Sequence, residues 1–153
     1  MILEMKANTR KKKINNRRKS RELVMKSVYR GLVNDLDMTQ IKKDIQEDPD
    51  FIRADQNLYE EILSGVFKNL KSLKAELESY IDRSYDELSP IELSIMYFSL
   101  YEIKHSVSVP YKVVINEAVE IAKTFGGADG YKYINGILNQ AAKKNRTGEF
   151  KKN

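Results

Sequence analysis

Apolar residues recur at three- and four-residue spacing along most of the chain, which is the pattern of amphipathic α-helices. The first such stretch covers residues 17–36, where Val24, Val28 and Leu32 share one helical face. A second, shorter helix is predicted over residues 38–46. No stretch alternates apolar and polar residues between glycine-rich turns, so the pattern predicts no β-strands.

The clearest helix start is at Ser89. Ser89 fits the N-cap, Pro90 the first helical position and Glu92 the third, which together form a capping box with a favoured first-turn proline. The apolar pattern continues from there to Ile103, so a long helix is predicted. Asp55 fits the N-cap of an earlier helix, whose pattern continues through a bend near residue 72.

Proline and glycine divide the C-terminal part of the chain. Pro110 opens a helix, and Gly126-Gly127 ends it because glycine readily takes left-handed geometry. Asp129 fits the N-cap of the last helix, and the polar tail of residues 143–153 is expected to fray. The whole pattern predicts an all-α protein of about six or seven helices.

Composition agrees with one globular domain. The chain has 153 residues, of which 41% are hydrophobic and 32% charged, enough to bury a core. The absence of cysteine excludes disulfides and cysteine metal sites. No apolar run is long enough to span a membrane or to serve as a signal peptide, so we expect a cytoplasmic protein.

Charge is distributed unevenly. The net charge is +5, but residues 1–30 contain eleven basic side chains and only two acidic ones. We interpret residues 1–16 as a flexible basic arm, and we expect Arg17, Arg18 and Arg21 to extend from the first turns of the helix away from the core. Such a segment suits a polyanion such as nucleic acid, although a merely solubilising extension has the same composition.

Catalytic or metal-binding patterns are missing. His105 is the single histidine, and its place near a predicted helix C-terminus has a structural explanation, because a cation is favourable there. Glu117 and Glu120 share a helix with lysines, which indicates a solvated or ion-paired face. We therefore expect a protein that is not an enzyme and that binds no metal or cofactor.

Aromatic residues surround the glycine-rich turn. Phe125 precedes it, and Tyr131 and Tyr133 flank Lys132 just after it. Aromatic rings beside basic side chains suit stacking on unpaired RNA bases, and the helix start after Asp129 offers backbone N–H groups to a phosphate. The alternative is that these rings only close the core between the last two helices.

Several of these segments resemble the NusB family. The N-terminal part of the resemblance is Arg-Arg-Lys-Ser-Arg-Glu at 17–22, followed by Tyr29. The more specific part runs from Val109 to Leu138 and contains Ile-Asn-Glu-Ala at 115–118, Ala-Lys at 122–123, Phe-Gly at 125–126 and Asn-Gly at 135–136. The resemblance covers residues 17–142 and implies an all-helical fold of two small packed bundles.

The resemblance also implies a function. NusB proteins are bacterial transcription antitermination factors that bind boxA, a short single-stranded RNA, together with NusE, which is also a small-subunit ribosomal protein. The complex joins elongating RNA polymerase and supports ribosomal RNA transcription. A second hypothesis is an accessory domain of an RNA methyltransferase, but 153 residues leave no room for the attached catalytic domain. A third is a helical scaffold that binds only proteins.

Residue roles follow from the same resemblance. Tyr29 and Glu92 are expected on the NusE face, so Glu92 has two candidate roles, in capping and in partner contact. The remaining site residues belong to the RNA face, and we expect them to form one surface that joins the arginines to the glycine-rich turn. They are Arg17, Arg18, Arg21, Phe125, Asp129, Lys132 and Tyr133.

Overall fold

The computed structural model describes residues 1–151, which are almost entirely helical and contain no strand. Two short 3₁₀ helices, Phe51–Arg53 and Tyr85–Glu87, lie in the connections. The eight α-helices are α1 (Ile2–Asn34), α2 (Met38–Ile45), α3 (Gln56–Lys68), α4 (Leu70–Glu78), α5 (Pro90–His105), α6 (Tyr111–Phe125), α7 (Gly130–Asn145) and α8 (Thr147–Lys151). The predicted all-α class is confirmed. Between residues 1 and 151, none of these helices is both long and apolar enough to traverse a lipid bilayer.

Helix α5 lies at the centre of the molecule. Every residue from Leu93 to Leu100 is buried, which requires neighbours on all sides because a helix without a polar face cannot border water. It packs against α1, α3 and α4 on one side and against α6 and α7 on the other. The N-terminal bundle (α1–α4) and the C-terminal bundle (α5–α8) therefore pack together through α5, as predicted.

Helix α1 is longer than predicted. It begins at Ile2, so the predicted start at residue 17 is wrong and the basic arm is a helical extension with exposed side chains. Residues 2–19 contain no glycine or proline and many good helix formers, so local propensity favours this extension. Where the arm meets the body, the Asn16 carbonyl accepts from the Asp55 N–H at 3.3 Å and the Ser20 hydroxyl donates to the Asp55 carbonyl at 2.6 Å.

The predicted helix starts at Ser89 and Asp55 are confirmed. The Ser89 hydroxyl accepts from the Glu92 N–H at 3.5 Å, with Pro90 at the first helical position. The Asp55 carboxylate accepts from the Leu58 N–H at 3.1 Å. The bend predicted near residue 72 lies three residues earlier, at Asn69, which separates α3 from α4.

The glycine-rich turn differs from its prediction. Gly126 is extended, with φ −89° and ψ −178°, and no glycine in the described residues has positive φ. Glycine is required at 126 because the backbone of the preceding turn comes too close for a side chain. A Cβ on Gly126 would lie 2.8 Å from the Ala122 carbonyl oxygen. Asp129 does precede α7, but its side chain caps no N–H and instead pairs with Lys132 at 3.4 Å.

The C-terminal segment packs on the body. Arg146 is only 7% exposed and donates to the carbonyl oxygens of Ile103 at 2.7 Å and Ser106 at 3.0 Å. Phe150 stacks on Tyr111 with ring centroids 5.5 Å apart. The expectation that this tail frays is therefore wrong for residues 146–150, while its last two residues, 152–153, lie outside the described residues.

Candidate nucleic-acid interface

Arg21 is buried in an ion-pair cluster between α1, α5 and α6. Its guanidinium donates to both carboxylate oxygens of Glu102, at 2.8 and 2.9 Å, and lies 3.5 Å from Glu117. Burial alone would lower the pKa of Arg21. The bonds to Glu102 and the charges of both carboxylates outweigh burial and raise this pKa above its ordinary value. The expectation that Arg21 extends away from the core is wrong, because two buried carboxylates need a cation beside them.

Arg18 and Arg17 lie at the edge of this cluster. Arg18 pairs with Glu117 through its Nε, at 2.9 Å, and its side chain remains 33% exposed. Arg17 is exposed and lines a groove beside Val109 and Val113 of the α5–α6 connection and α6. Of the three predicted arginines, only these two present cationic groups to solvent.

The carboxylate partners of these arginines were missed from the sequence. Glu117 is ion-paired, but it is 4% exposed and not part of a solvated face. The signal available was the position of each acid within an apolar stripe. Glu102 lies between Leu100 and Ile103, and Glu117 lies next to Ala118, where an unpaired charge would be unfavourable.

Phe125 lies on the same edge of the molecule as the arginines. The Lys26 Nζ of α1 is 5.9 Å from the Phe125 ring centroid, two helical turns beyond the contact of Arg18 with Glu117. Helices α1 and α6 therefore run side by side in the same direction along this edge, called here the α1–α6 edge. The structure brings Arg17, Arg18 and Phe125 onto it.

Tyr133 lies elsewhere. Its ring is covered by the Arg83 guanidinium at 4.0 Å, and burial raises the pKa of its phenol. Arg83 belongs to the connection between α4 and α5, and no sequence pattern marked it. Lys132 and Asp129 are exposed and pair with each other, so they and Tyr133 form a second cluster on the α7 start.

Glu92 reaches into the glycine-rich turn. Its carboxylate accepts from the Gly127 N–H at 3.3 Å, and a Cβ on Gly130 would lie 2.5 Å from its Oε1. The Glu92 side chain thus bonds to the turn, and only its backbone N–H takes part in capping by Ser89. The carboxylate also occupies space beside the α7 start, where the sequence suggested a phosphate.

A pocket of about 460 Å³ adjoins the α1–α6 edge. Tyr29 and Phe125 both line it, so it joins a predicted partner residue to a predicted RNA residue. Its other apolar walls are Met25, Ile45 and Ile91, and Lys26, Arg30, Asp44 and Asp48 supply the charged side chains around it. An apolar floor surrounded by charges of both signs is typical of a protein-docking pocket.

His105 and the acidic side chains are the remaining candidates from the sequence. His105 is the last residue of α5, as predicted, and its ring lies 4.9 Å from that of Tyr101. Within residues 1–151 there is no group of three or more histidine, aspartate or glutamate side chains that could hold a metal ion.

Comparisons with known proteins agree with this architecture. The profile described as NusB family matches residues 18–143. The chain is 47% identical over 137 residues to the transcription antitermination protein NusB of Methylobacillus flagellatus, covering 90% of this chain and 89% of the relative. It is 42% identical over 133 residues to the protein of the same name from Cupriavidus pinatubonensis, covering 87% of this chain and 80% of the relative.

Two solved structures share the fold. T. maritima NusB superposes with a TM-score of 0.76 at 28% identity, covering 88% of this chain and 96% of that one. A chain from the crystal structure of the antitermination factors NusB and NusE in complex with dsRNA superposes with a TM-score of 0.75. Its identity is 17%, with coverage of 85% and 98%, so this second match shows the fold alone.

Proposed function

The chain belongs to the NusB family, and we propose that it is a transcription antitermination factor that binds RNA together with NusE. The observation that carries this proposal is the α1–α6 edge, where exposed arginine groups and an aromatic ring lie beside an apolar pocket. Relatives are named transcription antitermination proteins, and the fold is that of a protein crystallised with NusE and RNA.

The RNA is proposed to be single-stranded and of the boxA type. On the α1–α6 edge, Arg17 and Arg18 neutralise phosphates, and an unstacked base packs on Phe125 beside Lys26. Arg21 is a positioning residue in this proposal, because it is buried against Glu102 and Glu117 and has no free donor face for RNA. Its contact with Glu117 holds that carboxylate in place beside Arg18.

The α7 start supplies the second half of the proposed RNA surface. Lys132 is 67% exposed and available to a phosphate, with Asp129 beside it. A base can stack on Tyr133 only if the Arg83 guanidinium moves off the ring. Arg83 then offers its own donors to the RNA backbone, so we add it to the RNA-contacting residues.

NusE is proposed to dock on the pocket lined by Tyr29. Aromatic side chains at apolar pockets are frequent energetic centres of interfaces. The charged side chains around this pocket pair with each other, Arg30 with Asp44 at 2.8 Å and Lys26 with Asp48 at 3.2 Å, and form a polar rim of the kind that surrounds such centres. Glu92 lies close to this pocket, since its carboxylate bonds to Gly127, two residues after the pocket residue Phe125. RNA and NusE then meet at Phe125.

The finer parts of the proposal follow from family membership. The RNA complex with NusE joins elongating RNA polymerase and supports ribosomal RNA transcription. Because this process takes place where RNA is made in a bacterium, we propose action in the cytoplasm.

Binding assays test the proposal. A boxA-type single strand, its duplex and an unrelated single strand are titrated with and without NusE at several salt concentrations. We expect the boxA single strand with NusE to bind most tightly, and Arg17→Ala/Arg18→Ala to reduce the log–log salt slope by about 1.4. Lys143→Ala/Lys144→Ala, which removes two exposed cations at the end of α7, serves as the matched control.

Three outcomes would count against the proposal. Equal affinity for all RNAs with or without NusE would remove the specificity it requires. Preference for the duplex would contradict the proposal that the bound RNA is single-stranded. Binding of NusE without any RNA binding would favour the protein-binding scaffold.

A further inference from the structure

A second cationic surface lies on the opposite side of α1. Where the helical arm passes the 3₁₀ helix Phe51–Arg53, the two elements enclose a cleft of about 830 Å³. Its charged side chains are all basic: Lys11, Lys12 and Lys19 from α1 and Arg53 from the facing wall. Asparagine amides supply its other polar side chains, and no aromatic ring lines it among the described residues.

Most of this charge is uncompensated. Lys19 pairs with Asp50 at 3.3 Å, whereas Lys11, Lys12 and Arg53 form no salt bridge within residues 1–151. Three cations facing one cleft without a carboxylate are mutually repulsive, so an anion is the ligand that their arrangement favours.

The cleft is distinct from the α1–α6 edge. Lys12 and Lys19 are seven residues apart and therefore share one face of α1. Lys11 lies at the border of this face, seven residues before Arg18, and lines the cleft from there. Arg17 lies close to half a turn from the cleft side, on the face that lines the groove beside Val109. The long basic helix thus carries two cationic faces, only one of which belongs to the proposed RNA edge.

Both walls of the cleft are held in place at its base. The Asp55 backbone, just after Arg53, bonds to the Asn16 carbonyl and to the Ser20 hydroxyl. These bonds tie the arm to the connection before α3. The cleft is therefore formed by the folded chain and needs no rearrangement of the body.

We propose that this cleft is a second RNA-binding site, which takes the phosphate backbone without reading bases. Lysine and arginine cations with amide donors match phosphate oxygens, and the lack of an aromatic ring leaves no platform for base stacking. An RNA longer than the boxA element can pass around α1, which is only about 10 Å across, and use both faces. This site depends neither on boxA sequence nor on NusE.

The test uses the full chain and an oligo(U) RNA of about 20 nucleotides, titrated at several salt concentrations. Lys11→Ala/Lys12→Ala removes two cleft cations, and Arg10→Ala/Lys13→Ala removes two neighbouring cations outside the cleft. The first variant is expected to lose about 1.4 from the log–log salt slope, and the second less than half of that. Arg53→Ala, which leaves the arm unchanged, is expected to lose about 0.7.

Several results would overturn the site. Equal losses for the two double variants would show general attraction to a basic arm. Absence of oligo(U) binding, or an unchanged slope in the first variant, would also refute it. Binding of a polyglutamate peptide that depends on Lys11 and Lys12, with RNA binding unaffected, would assign the cleft to an acidic protein.

The result is separable from the proposed function. Circular dichroism shows whether the arm stays helical, as is expected because alanine is a strong helix former. A loss of boxA preference or of NusE binding, with the difference between the double variants intact, would refute the proposed function and leave the cleft. Intact boxA preference and NusE binding, with no difference between the two double variants, would refute only the cleft.

Discussion

Arg21 of α1 and Glu102 of α5 form a bidentate ion pair whose side chains are 4% and 0% exposed. The pair links the two bundles at the level where α1 crosses the central helix. Glu117 of α6 adds a second carboxylate on the same guanidinium. A charge in this position is stable only with its partners, because the surrounding core cannot solvate it.

Replacing Arg21 alone is expected to destabilise the fold. Arg21→Met leaves Glu102 buried without its partner, which typically costs about 3–5 kcal/mol. The double variant Arg21→Met/Glu102→Leu removes both charges and is expected to recover most of this loss. Urea unfolding measures both. A single variant that loses less than about 1 kcal/mol would contradict the view that the pair is structural.

Displacing Glu92 from the glycine-rich turn is expected to weaken NusE binding. Gly130→Ala places a Cβ where the Glu92 carboxylate now lies, so the flexible side chain must move away from the Gly127 N–H. We expect a loss of about 1 kcal/mol in NusE affinity, and no further loss when Glu92→Ala is combined with it. Calorimetric titration measures this coupling.

Gly136→Ala is the matched control. It lies on the same helix, where an added Cβ meets nothing within 4 Å. It is expected to stabilise the protein by up to about 1 kcal/mol through helix propensity and to leave NusE affinity unchanged. Equal loss of NusE binding in both glycine variants would show that the position of Glu92 is irrelevant.

Stability is expected to fall in acid partly through Glu76. Burial by itself would raise the pKa of Glu76, but bonds from Lys104, Tyr80 and Asn145 outweigh it and the pKa is lowered. Because the pKa of Glu76 is lower in the folded than in the unfolded state, its ionised carboxylate adds to the free energy of unfolding. This contribution is complete at pH values above the ordinary carboxyl pKa of about 4.3 and is lost as the pH falls through the pKa of the folded state.

Glu76→Gln is therefore expected to be less stable than the parent chain near neutral pH, with a difference that shrinks below about pH 4. Thermal unfolding at a series of pH values measures it. Glu78→Gln, on the same helix but exposed, is the control and should change little. A constant difference at all pH values would mean that the charge of Glu76 contributes nothing.

Arg146 is expected to stabilise the end of α5. It donates to the carbonyls of Ile103, Ser106 and Glu102, at the end of the helix where intrahelical donors run out. The carbonyls of Glu102 and Ser106 also accept from the backbone N–H groups of Ser106 and Val109. Arg146→Ala is expected to cost about 2–3 kcal/mol in chemical unfolding. Lys144→Ala, two residues earlier and exposed, is expected to stay within about 0.5 kcal/mol. Similar losses of unfolding free energy in the two variants would refute the capping role of Arg146.

Parts of the candidate site could be located from the sequence and parts could not. Phe125 and Tyr29 were placed by motif, and the structure brings both to one pocket. The role of Arg21 as an exposed contact was wrong, since nothing near it in sequence reveals Glu102. Arg83 was missed for the same reason, because its contact with Tyr133 joins the α4–α5 connection to α7, far away along the chain.

The sequence by itself determined the all-helical class, the caps at Ser89 and Asp55, and the basic character of the N-terminal segment. These features arise from interactions within about four residues, which the local order of side chains specifies. Only the tertiary structure decided which charges face inward. Arg21 meets Glu102 across 81 positions, and burial of that pair depends on how α1, α5 and α6 pack. The same packing left Arg17, Lys11 and Lys12 facing solvent.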